Sequence, residues 1–286
     1  MAGQRVWPFI ALFLAMISVQ YGSTFAKGLF PVIGAQGTVA LRLCFGAVIL
    51  CAISRPWRCK INPRLLPMVV GYGVALGLMS FNFYMSIRYI PLGVAVALEF
   101  SGPLCVALVS SRRALDFLWV VMAVIGLFFL LPVGSGVQKE SGLGVAYALS
   151  AGVAWAAYSV LGRKTGAAHG MAVPAIGTAI GALIVGPIGF VHAGLGLFSS
   201  KLLLGAILVA IFSCAIPFVL EMIALVALPA QVYGTVTSVE PAIAAFAGLM
   251  FLHEHLTTLQ DCAISAIMAA SIGAAVTMPP RAGIVQ

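Results

Sequence analysis

The 286-residue chain is 62% hydrophobic and only 8% charged, with a net charge of +8. A soluble domain carries about 25% charged residues, so this composition excludes a surface covered by water and selects lipid as the solvent. The positive balance does not mark a nucleic-acid partner. Such a protein gathers Lys and Arg on one water-exposed face, whereas here they fall mainly in short gaps between apolar runs.

A helix needs about 20 apolar residues to cross the hydrocarbon core. The first apolar run follows Arg5 and extends from Trp7 to about Phe25 without a small-x-small cleavage site. Many further spans follow it, so it reads as a retained transmembrane helix and not as a signal peptide. In chain order the predicted spans are Trp7–Ala26, Gly34–Ile53, Leu65–Ile87, Leu92–Ser110, Leu115–Leu131, Leu143–Leu161, Ala172–His192, Leu202–Leu228, Gln231–Leu252 and Leu259–Thr277. The fourth and fifth are short, and merging them would give a reading of eight or nine spans; the basic Ser111-Arg112-Arg113 break argues against it. All are expected to be helical, because unpaired backbone in lipid costs several kcal/mol per group and no period-two barrel pattern is visible.

The basic residues alternate between the ends of these spans. Arg5, Arg55, Arg58, Lys60, Arg64, Arg112, Arg113, Arg163, Lys164 and Arg281 fall on one side, and only Arg88, Lys139 and Lys201 on the other. The positive-inside rule then places both termini in the cytoplasm. The six cysteines form no CxxC pair and read as small packing residues. His253 and His255 make a weak metal site at best, so neither metal nor cofactor is expected. No Walker loop or Ser-His-Asp constellation is present.

Two segments repeat. Ile90-Pro91-Leu92-Gly93 through Ser101-Gly102-Pro103 resembles Leu228-Pro229-Ala230-Gln231 through Glu240-Pro241, with one offset of 138 residues for both prolines. Each first Pro lies in a tight turn, and each second Pro is expected to interrupt the following span, where it removes a backbone hydrogen bond. The expected organisation is two halves of five spans, 1–133 and 142–280. Because five is odd, the second half enters the membrane from the opposite side. The predicted fold is therefore an all-α membrane protein, with ten transmembrane helices as two inverted five-helix repeats around a central cavity. That symmetry suits a carrier with a midplane site and helix breaks beside it.

The run Pro-Leu-Gly-Val-Ala-Val-Ala-Leu-Glu-Phe-Ser-Gly-Pro at 91–103, Ser-Val-Glu-Pro at 238–241, and Glu254 followed by Leu256-Thr257 and Gln260 resemble the ten-helix drug/metabolite transporter superfamily with two EamA-type repeats. The resemblance covers nearly the whole chain, with His253 standing where the Gly-Glu-x-Leu-Thr-x-x-Gln stretch usually has Gly. Ala26-Lys27, residues 97–103, Ser-Ser-Arg-Arg at 110–113 and Leu-Glu-Met-Ile-Ala-Leu at 220–225 resemble the threonine/homoserine exporter branch. The resemblance implies export of small hydroxylated amino acids across a bacterial inner membrane. The alternatives are another metabolite or drug, such as an aromatic amino acid or an amphipathic compound, or a non-transporting scaffold.

Charges inside lipid cost about 2.5–3.5 kcal/mol each and should face a cavity or a partner. Glu99, Glu221 and Glu240 are the acidic candidates, able to bind a substrate ammonium or carry a proton. Lys27, at the end of the first span, either holds a carboxylate or snorkels to the interface. Arg42 lies too deep to snorkel easily, and an Arg near this position, common in the resembled family, is read as a structural contact. Gln20 and Tyr21 in the first span, Asn82 and Tyr84 in the third, Trp155 and Tyr158 in the sixth, and Ser101 beside Glu99 complete the candidate pocket. The expected partners are an amino-acid substrate, protons and the lipid bilayer, with proton exchange on a buried carboxylate coupling export to the gradient.

Overall fold

The computed structural model describes residues 2–109, 114–130, 139–194, 197 and 200–277. The basic break at 111–113 and Arg281 lie outside the described residues. Among those described, every regular element is helical. The first seven are α1 (Ala2–Lys27), α2 (Phe30–Ser54), α3 (Leu66–Tyr89), α4 (Leu92–Val109), α5 (Ala114–Leu130), α6 (Lys139–His169) and α7 (Ala172–Ala193). A long rod follows, made of α8 (Ser200–Ala210), a wide π turn at Ile211–Ala215 and α9 (Ile216–Ala227). Next come α10 (Ala230–Thr237), α11 (Glu240–Leu252) and α12 (Thr258–Thr277).

Seven of these units are long and apolar enough to cross a membrane: α1, α2, α3, α6, α7, the α8–α9 rod and the α10–α11 rod. The apolar stretches of α4 and α12, Leu92–Gly102 and Thr258–Ala270, are shorter. The protein is a multi-pass membrane protein, and its exterior suits lipid: Val191, Leu183, Val153 and Ile53 all point outward, Val191 with 85% of its surface free. The interior buries Tyr72, Tyr84, Tyr158 and Phe100 almost completely.

Two sequence features break the helices. Pro217 has no N–H to return to the Ser213 carbonyl, and the Ile216 N–H bonds to Ile211, five residues back. The Phe212 carbonyl thereby loses its partner, and the Ser18 hydroxyl of α1 donates to it at 2.6 Å. The second break lies at Ser238–Val239, with Pro241 at the start of α11. The expectation of a matching break at Pro103 is not met: α4 runs continuously from Leu92 to Val109. Pro103 still leaves the Glu99 carbonyl without its usual donor, and Gly152 of α6 packs directly against that carbonyl. Only a residue without a side chain fits there.

The packing has a pattern. α3 packs on α6 and α7, and the α8–α9 rod packs on α1 and α2. α4 packs on α6, and α11 packs on α1; α2 meets α7, α4 meets α11, and α5 meets α12. The glycine spacings at 73/77 and 177/181 lie within this arrangement. A Cβ at Gly77 would stand 2.8 Å from the Gly181 Cα, so α3 and α7 touch backbone to backbone.

The two ends of the bundle are tied differently. At the end where α3 finishes, Lys27 pairs with Glu254, and the second Glu254 oxygen accepts the Leu92 N–H at 2.8 Å. At the end where α3 begins, the Asn62 N–H donates to His169 Nε2 at 3.1 Å, and Arg163 donates to the Leu228 carbonyl at 2.9 Å. His253, in the turn after α11, is in the left-handed region (φ 54°, ψ 32°). That conformation explains why the resembled stretch carries Gly at this position.

Candidate functional site

Between these ends lies a cavity of about 70 Å³. Each wall is a helical stripe. Leu12, Ala15, Met16, Val19 and Gln20 follow the i, i+3, i+4, i+7, i+8 positions of α1. Met79, Ser80 and Phe83 line it from α3, Pro217, Phe218 and Glu221 from α9, and Tyr233, Thr237 and Glu240 from α10 and α11. Arg42 of α2, Glu99 of α4 and Trp155 of α6 complete the lining. Three carboxylates and one guanidinium thus converge on a mostly apolar space, arriving from separate helices.

The four charges are held in different ways. Glu221 accepts from two phenols: Tyr233 donates to Oε1 at 2.6 Å and Tyr158 to Oε2 at 3.2 Å. Glu240, 9% exposed at the α10–α11 break, accepts from Gln20 Nε2 at 2.9 Å. Glu99 is 8% exposed and, among the described residues, no side chain donates to its carboxylate. Arg42 is 3% exposed and forms no ion pair with any of the three. Its Nε donates to the Ser213 hydroxyl at 2.8 Å, and Nε and Nη2 both donate to the Ser213 carbonyl freed by Pro217. Its guanidinium lies 5.1 Å from the Tyr84 ring centre and 5.6 Å from that of Phe218.

The candidates named from the sequence divide accordingly. Glu99, Glu221, Glu240, Gln20 and Trp155 line the cavity. Tyr158 stands behind the wall as a donor to Glu221. Tyr84 supports the Arg42–Ser213 pair, its hydroxyl 3.3 Å from that of Ser213. Tyr21 turns away and meets the Phe251 ring at 5.0 Å. Asn82 lies half-buried off the cavity face of α3. The Ser101 hydroxyl donates to the Leu98 carbonyl of its own helix at 2.6 Å. Lys27 sits at the bundle end and holds the carboxylate of Glu254, outside the cavity.

Sequence reasoning missed Tyr233, Ser213, Phe83 and Phe218. Two signals were available for them. One is helical phase: Tyr233, Thr237 and Glu240 follow i, i+4, i+7. The other is Pro217, which frees the backbone that Ser213 and Arg42 share.

An all-helical bundle with a lipid-facing exterior and a buried, charged cavity gathered from separated helices defines a membrane transporter. The comparisons narrow that class. The model of the EamA-like transporter family matches residues 142–276. The threonine/homoserine exporter RhtA of Escherichia coli K12 is 50% identical over 275 residues, covering 96% of this chain and 93% of that one. The protein of the same name from Salmonella typhimurium LT2 has the same identity and coverage. An uncharacterized transporter of Synechocystis, sll1319, is 29% identical over 112 residues, 37% of this chain and 34% of its own. A solved crystal structure with 17% identity superposes at a TM-score of 0.66 over 93% of this chain and 96% of that one, which shows a shared fold.

The chain belongs to the EamA-like transporter family, in the threonine/homoserine exporter branch of the drug/metabolite transporter superfamily. It is a transporter and not an enzyme.

Proposed function

We propose that this protein exports small zwitterionic amino acids, threonine and homoserine foremost, across a bacterial inner membrane by proton-coupled alternating access. The observation that carries this reading is the meeting of three carboxylates and a guanidinium in one cavity, in a chain half identical to exporters of that name. Moving a bare zwitterion through hydrocarbon is prohibitive, because each charge must lose its water. The cavity replaces that water with fixed polar groups.

In this reading the chain makes ten passes with both termini in the cytoplasm, and residues 1–133 and 142–280 are inverted repeats. The packing pattern supports it. Exchanging the first five passes with the last five turns the α3–α6 contact into that of the α8–α9 rod with α1, and the α4–α6 contact into α11–α1. The end ties agree as well: the chain segments joined by Lys27, Glu254 and Leu92 fall on the side with few basic residues, and those joined by Asn62, His169, Arg163 and Leu228 on the basic side. Glu99, whose carboxylate receives no donor among the described residues, receives the substrate ammonium or a proton in turn. The two halves rock about the cavity, and the Lys27–Glu254 tie closes the outer end.

Counterflow in proteoliposomes against a panel of amino acids, polyamines and amphipathic drugs tests this reading. Labelled threonine should exchange against internal threonine and homoserine, and not against polyamines or drugs. Exchange restricted to aromatic amino acids or amphipathic cations would replace the substrate assignment.

A further inference from the structure

We infer that Arg42 is the carboxylate-binding group of the pocket. This rests on the reading of the substrate as an amino acid and adds a residue that both the sequence pattern and the packing had left as a structural contact.

The Arg42 side chain is 3% exposed, and Nη1 has no hydrogen-bond partner although it is fully enclosed. A buried donor left unpaired costs about 1–3 kcal/mol, more when charged. The three glutamates of the same cavity are the natural partners, yet none pairs with it. Glu221 accepts from Tyr158 and Tyr233, one oxygen of Glu240 accepts from Gln20, and Glu99 forms no ion pair with Arg42.

The guanidinium is nevertheless fixed in direction. Its Nε edge is pinned to Ser213, on the π turn that Pro217 creates, and the rings of Tyr84 and Phe218 lie beside it. With Nε and Nη2 both donating to Ser213, the donors left over are those of Nη1 and the outer N–H of Nη2, the end edge of the guanidinium that pairs with a carboxylate. Glu99 and Arg42 then place opposite charges, neither in an ion pair, on one cavity, with the polarity of a free α-amino acid. A pocket of this kind recognises a substrate by having both ends charged. Amines without a carboxylate leave Arg42 unpaired and are rejected by the cost of that vacancy.

The test is counterflow in proteoliposomes with wild type, Arg42→Gln and Arg42→Lys, at matched membrane abundance. Threonine and threonine methyl ester compete against labelled threonine. In the wild type, threonine should compete and the ester should be at least ~100-fold weaker, the scale of losing one partner of a desolvated charge pair. Arg42→Gln should raise the threonine KM about 100-fold and abolish the preference for acid over ester. If Arg42→Gln does not reach the membrane, Arg42→Lys carries the test, with a KM raised at least ~10-fold because the fixed fork is lost.

Equal competition by the ester in the wild type overturns the assignment. So does an inserted variant that keeps both KM and preference within about twofold of wild type, which is the result of a purely structural staple. If the wild type exchanges some other amino acid and not threonine, the substrate assignment fails, and the same comparison of that acid with its own methyl ester still decides the role of Arg42.

Discussion

Glu99 and Glu221 face the same cavity, but their oxygens are used differently. Both Glu221 oxygens are taken by tyrosine hydroxyls, one from α10 and one from α6. Glu99 is buried, more so than Glu221, and its carboxylate receives no donor among the described residues. A carboxylate that already has its hydrogen bonds joins helices; one without them has its binding capacity left over for a ligand. The cost of burying an unmatched acid in lipid argues that the vacancy is used. The difference arises from the neighbours. Glu221 has phenols within reach on two other helices, whereas Glu99 sits where the α4 backbone packs against Gly152 of α6.

The largest effect should follow from Glu99→Gln, which keeps the shape and removes the charge. Gradient-driven export in proteoliposomes should fall at least ~100-fold at normal abundance, as for loss of an essential intramembrane ionisable group. Tyr233→Phe should come next. It strips the shorter of the two hydrogen bonds from Glu221 and should lower stability by about 1–3 kcal/mol in a detergent melt, with a transport loss smaller than that of Glu99→Gln. A transport loss as large as that of Glu99→Gln, without destabilisation, would erase the distinction between the two acids.

Lys27→Gln acts at the bundle end, away from both. It should raise maleimide labelling of a cysteine placed at Ile90, beside Leu92, and change stability by under ~1 kcal/mol, since the pair is partly exposed. Labelling that does not rise would detach this ion pair from closure of that end. The smallest change is expected for His253→Gly. It relieves a left-handed backbone and should stabilise the fold by about 1 kcal/mol in the same melt, leaving transport unchanged.

Much of this was legible beforehand. The helical class followed from composition and from the demand that lipid makes on backbone groups, and the three acids stood out because charges are rare in such spans. What stayed hidden was rotational phase. Gln20 and Tyr21 are adjacent in sequence, yet a step of about 100° sends one into the cavity and the other toward Phe251. Phe83 and Asn82 exchanged roles for the same reason. Helix breaks were only half readable. Pro241 interrupts its rod as its sequence suggests, whereas Pro103 leaves α4 continuous, because a neighbouring helix accommodates the freed carbonyl. Pro217, in an unremarked apolar run, produces the π turn that anchors Arg42. The role of Lys27 was a choice between two locations for one charge, decided by Glu254, a residue more than two hundred positions away.

The most direct measurement is site mapping of carbodiimide modification by mass spectrometry on the protein in lipid, with and without threonine. The expected result is modification of Glu99 that threonine suppresses, with Glu221 shielded by its two tyrosines in both conditions. Equal modification of the two acids, or a Glu99 adduct indifferent to threonine, would contradict the division of labour between them.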